Sequence, residues 1–159
     1  MYRRILVPVD GSHTSTLGLR EAVRLARDQK ARIRLMHVLD IFPLVQGFNG
    51  ATVSGELWDL LEETGKKALK DAAALAAKHR IKAQSVMLRN LGGRVADSIV
   101  GEAKKWKADI IVMGTHGRRG FNHLVLGSDA EAVVRSAPVP VLLVRPETTK
   151  RHRSHAADV

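Results

Sequence analysis

Ile110-Ile-Val-Met113-Gly114-Thr-His-Gly117-Arg-Arg-Gly-Phe-Asn-His-Leu-Val-Leu-Gly127-Ser128 runs from a short apolar segment, through a glycine-punctuated loop, into a helix-like stretch that reaches Ser136. A strand, a glycine loop and a helix start in that order shape a backbone to hold a phosphate. Glycine admits positive φ and lets a ligand approach the main chain closely. The helix start supplies N–H donors and the positive end of a dipole. The loop is not a Walker A motif, since it lacks Gly-x4-Gly-Lys-Ser/Thr, and it is not Gly-x-Gly-x-x-Gly either. Its grip on phosphate has to come from backbone N–H groups, Ser128 and the helix dipole, with Arg118 or Arg119 over the anion.

The flanking segments repeat the alternation. Ile5 to Val9 is apolar and reads as a buried strand, broken by Asp10-Gly-Ser12. Leu19, Ala22, Val23 and Ala26 then recur at helical spacing to about Gln29. Ile33 to Leu39 is a second strand, followed by a Pro/Gly-containing loop from Asp40 to about Val53. Leu57, Leu61, Thr64, Ala68, Ala72 and Leu75 form one stripe of a helix over roughly 55–79. Ala83 to Leu88 mixes polar and apolar residues, as an edge strand does. Gly92-Gly93 opens a helix with Val95, Ile99, Ala103 and Trp106 on one face, and Val139 to Val144 is the fifth strand. Alternating strands and helices predict an α/β fold, an open parallel sheet with helices on both faces. Ligands of such folds bind beyond the carboxyl ends of the strands, so the Asp10 and Gly114–Gly127 loops meet if strands 1 and 4 are neighbours.

The chain has 159 residues, which suits one domain over 1–146 and a flexible basic tail over 147–159. No apolar run approaches the roughly 20 residues that cross a bilayer, so no membrane partner is expected. There is no cysteine, and the N-terminus has no long apolar leader, which together point to the cytoplasm. The net charge is +10, with +4 in residues 1–40 and +5 in residues 81–120. Such a surface draws anions. The six aromatic residues do not interleave with the basic ones, so a nucleic-acid partner is not expected.

Three segments together resemble the universal stress protein family over nearly the whole chain. They are Ile5-Leu-Val-Pro-Val-Asp10-Gly-Ser12, the Gly-x2-Gly-x9-Gly-Ser pattern at Gly114, Gly117, Gly127 and Ser128, and Ala137-Pro-Val-Pro-Val-Leu-Leu-Val144. The glycine pattern is that of the family's ATP-binding branch. The resemblance implies a Rossmann-like, five-stranded parallel sheet of order 3-2-1-4-5. It implies ATP or another adenine nucleotide as ligand, with Mg²⁺ admitted beside it, and a homodimer through strand 5, Val141 to Val144. Asp10 would sit beside the ribose and a metal, flanked by Pro8 and Val9. The backbone of Val38 would read the adenine. Met113, Gly114, Gly117 and Arg118 would lie along ribose and phosphates, and Gly127 and Ser128 would hold the terminal phosphates. The pattern departs at Asp129, where many members carry a small apolar residue. Its carboxylate suits a helix start, but beside a triphosphate it points away, helps hold Mg²⁺ or weakens the site.

No catalytic set emerges from the spacing of Ser12, Ser15, Ser128 and the seven histidines. The expected role is therefore a stress-response sensor that binds nucleotide with little or no turnover. Two alternatives stand beside it: a slow ATPase or adenylyl-transferring enzyme, and a basic nucleic-acid or anion-binding module.

Overall fold

The computed structural model describes residues 1–41, 55–115 and 126–146. Gly117, Arg118, most of the 40–53 loop and the 147–159 tail lie outside these described residues. Strands β1 (Arg4–Pro8), β2 (Arg32–Asp40), β3 (Ala83–Asn90), β4 (Ile110–Gly114) and β5 (Val141–Val144) alternate with helices α1 (His13–Gln29), α2 (Gly55–Lys78), α3 (Val95–Trp106) and α4 (Ser128–Ser136). All pairings are parallel, in the order β3-β2-β1-β4-β5. β1 and β4 are neighbours, as the site reading requires.

Burial explains which strands are central. Ile5, Leu6 and Val7 are wholly enclosed, and every residue of β4 is buried, because helices cover both faces. On one face Leu19, Val23 and Ala26 of α1 and Leu69, Ala72 and Ala76 of α2 pack on Ile5, Val7, Ile33 and Leu35. On the other, Ala96, Ile99 and Ala103 of α3 and Ala130 and Val133 of α4 pack on Leu6, Met36 and Ile111. β3 is an edge strand with exposed Gln84 and Ser85, matching its mixed sequence.

Local signals set the helix ends. The Ser12 hydroxyl caps α1 by accepting from the Ser15 N–H, and Lys30 closes it in the left-handed conformation. Asp97 accepts from the Arg94 N–H at the start of α3. β5 begins at Val141 rather than Val139, because Pro138 and Pro140 carry no N–H; the Pro140 carbonyl still accepts from Ile111.

The stripe expected on α2 is displaced. Its buried residues are Gly65, Ala68, Leu69, Ala72 and Ala76, whereas Leu61 and Thr64 face a cleft. The first turns of α2 reach the carboxyl end of the sheet, where Trp58 and Glu62 meet Arg89 of β3 while Leu61 and Thr64 line the cleft. A leucine there serves the cleft wall instead of the core.

Candidate functional site

The strand ends converge on a cleft of about 680 Å³, a volume typical of small-molecule sites. Five segments build it: the turn after β1, the end of β2, the first half of α2, the start of α3, and the junction of β4 with α4.

The β1 turn is held from within. Gly11 has φ +81°, which glycine adopts without strain. The Asp10 carboxylate accepts from the Ser12 N–H at 2.9 Å. The cap of α1 thus belongs to Ser12, and Asp10 stabilises the turn that carries it into the cleft beside Pro8 and Val9.

Gly114 ends β4 directly against α1. A Cβ added there would lie 2.7 Å from the Thr14 carbonyl group and 3.0 Å from the Ser15 nitrogen. Only a glycine lets the strand end meet the helix start. Beyond it, the Thr115 N–H donates to the Val144 carbonyl and the Gly127 N–H donates to the Thr115 carbonyl, both at 2.9 Å. These bonds bring Gly127 back to the strand end. Gly127 caps α4 in extended conformation with no side-chain cap bond. Gly127, Ser128, Asp129 and Ala130 all line the cleft, so the donor-rich end of a helix is turned toward it. Asp129 is exposed at the rim.

The β1–β2 ladder stops one rung early. Its rungs alternate from the Arg32 N–H on the Arg3 carbonyl to the Val9 N–H on the Met36 carbonyl, at 2.8 and 2.7 Å. The next rung would carry the Val38 N–H to the Val9 carbonyl. That carbonyl instead meets Nδ1 of buried His37 at 2.7 Å. By the same alternation the N–H and C=O of Val38 face the β1 side, past the end of that strand and toward the cleft.

The cleft therefore has an apolar middle and polar ends. Val38, Val95, Ile99, Met113 and Ala130 line the middle, with helix donors at the β4 end and Asp40 and Thr64 at the β2 end. Asn90, buried beneath, donates from Nδ2 to the Asp40 carboxylate at 3.1 Å and to the Gly93 carbonyl at 3.2 Å, tying the β2 end to the turn before α3. Asp10, after β1, and Asp129, on α4, add two acidic groups to the lining. Among the described residues no three His, Asp or Glu side chains group as a metal cage. A Mg²⁺ here would find one protein carboxylate, Asp10, on the β1 turn and would need its remaining oxygens from a bound anion.

Of the residues expected from sequence, the fold brings Pro8, Val9, Asp10, Val38, Met113, Gly114, Gly127, Ser128 and Asp129 to one cleft. His37, Asp40, Leu61, Thr64, Val95 and Ile99 join them without having been singled out as ligand contacts. The available signal for His37 was a histidine inside the apolar run Leu35-Met36-His37-Val38-Leu39.

Comparison with known proteins agrees with this fold. The model of the universal stress protein family matches residues 1–145. Universal stress protein MJ0531 of Methanocaldococcus jannaschii is 36% identical, over 91% of this chain and 83% of its own. The solved structure of MJ0577 has a TM-score of 0.79 at 27% identity, covering 94% of this chain and 99% of that one. The universal stress protein of Archaeoglobus fulgidus in complex with dAMP has a TM-score of 0.68 at 25% identity, covering 91% and 98%. The chain belongs to the universal stress protein family.

Proposed function

We propose that the chain binds ATP, or a related adenine nucleotide, as a cytoplasmic homodimer whose nucleotide-loaded state carries a stress signal with little or no turnover. The carrying observation is the pairing, in one cleft, of a helix start and an unladdered strand edge. The start of α4 suits the phosphates. The open N–H and C=O of Val38 suit the edge of adenine, which offers one acceptor and one donor side by side. The apolar middle suits the base faces. β2 and β4 flank β1, so the two ends stand about 10 Å apart, a mononucleotide's reach. The dAMP bound by the Archaeoglobus relative supports the ligand class.

Ser128→Glu tests the phosphate end. A carboxylate in the first helical turn favours α4 itself but repels phosphate. The expected result is an unchanged melting temperature without ligand and at least about a tenfold loss of ATP affinity by calorimetry, from roughly 1.4 kcal/mol or more of repulsion. Unchanged affinity would remove the phosphates from α4. For the dimer, the half-buried apolar β5 lies at the sheet edge, where a second chain can pair. Val141→Lys should shift the mass in light scattering from dimer to monomer; a variant that stays dimeric counts against this edge.

A further inference from the structure

We propose that His37 is the positioning residue that makes the Val38 amide available to the base. This rests on the adenine-nucleotide reading above. His37 stands on β2 beneath α2, buried, with its ring against Gly65: a Cβ on that glycine would sit 2.7 Å from Cδ2 and 3.0 Å from Nε2. A carbonyl oxygen only accepts, so the 2.7 Å contact to Val9 makes Nδ1 the donor. That bond satisfies the Val9 carbonyl from the side chain. A buried main-chain acceptor requires a partner, and without His37 the nearest donor by ladder register is the Val38 N–H. The imidazole thus substitutes for one backbone rung and redirects a main-chain donor from the sheet to the cleft.

The consequence is base selection. Adenine presents an acceptor at N1 and an amino donor at C6, complementary to the N–H and C=O of Val38. A 6-oxopurine presents a donor and an acceptor there, and both contacts become repulsive. A site built around such groups rejects the mismatched analogue because its own polar groups are left unpaired.

The test is titration of full-length protein with ATP and with its 6-oxo analogue ITP, together with amide hydrogen exchange at Val38 in the nucleotide-free protein. In the wild type the Val38 amide exchanges fast for a strand interior, and ATP binds about tenfold or more tighter than ITP. In His37→Leu the Val38 amide becomes protected, ATP affinity falls about tenfold and ITP affinity stays within about twofold, so the ratio narrows to what the Val38 carbonyl alone supplies. His37→Asn, which keeps a side-chain N–H near Nδ1, retains discrimination. A slow-exchanging Val38 amide in the wild type overturns the proposal with no variant needed. Equal discrimination by folded His37→Leu overturns it while leaving nucleotide binding intact. A wild type that binds neither nucleotide removes the proposed function itself, and this role with it.

Discussion

Arg34→Met is expected to lower the unfolding free energy by about 3–5 kcal/mol. Arg34 lies on β2 with Nη1 2.6 Å from the carboxylate of Glu102 on α3, whose side chain is 2% exposed. Its second terminal nitrogen donates to Gln84 of β3, and its guanidinium stacks over Trp106 at 4.8 Å from the ring centroid. One side chain thus joins the sheet edge to a helix. Replacing it with an apolar chain of similar length preserves packing but leaves the Glu102 carboxylate buried with no counter-charge. Thermal denaturation should show a fall of roughly 6–20 °C. The double variant Arg34→Met, Glu102→Leu should recover most of that loss, since a well-packed apolar pair replaces a buried ion pair at little cost. A single variant as stable as the wild type would mean that Glu102 reaches water or another cation.

Gly114→Ala is expected to cost about 2–3 kcal/mol and most of the nucleotide affinity together. The added methyl group would meet the backbone of Thr14 at 2.7 Å, and backbone atoms cannot rotate away. Gly18, one turn further along α1, faces the same crossing, with its virtual Cβ 3.0 Å from the Gly114 nitrogen. Two glycines therefore set the distance between α1 and β4. Forcing them apart separates the Asp10 turn from the Thr115–Gly127 junction, which are opposite walls of the cleft. Calorimetry with ATP and a melting curve on the same sample should show both losses. A variant that keeps full affinity would mean that the cleft walls do not depend on this crossing.

These effects show where the fold was legible. Ile5 to Val7 and Ile110 to Met113 are short, continuous and apolar, and both proved to be strands covered on both faces. The polar Gln84 and Ser85 marked β3 as an edge. Gly114, Gly127 and Ser128 pointed to the β4–α4 junction because glycine and a helix start leave a local signature. Leu61 and Thr64 did not, since helical periodicity says which residues share a face but not whether that face meets the core or a cleft. Arg34 and Glu102, 68 positions apart, carry no local mark of their pairing.

By itself the sequence determined the alternation of strands and helices, the central strands and the glycines at the junction of β4 with α4, because these follow from short-range periodicity and from the φ range of glycine. The strand order came only with the family resemblance, since connectivity alone leaves it open. Tertiary structure decided how the cleft is finished. It set β1 between β2 and β4, ended their ladder at His37 and brought the first turns of α2 to the strand ends. Those are matters of register between segments far apart in the chain. Hydrogen-bond parity fixes on which side of a strand each amide points, and it exists only once two strands have been aligned.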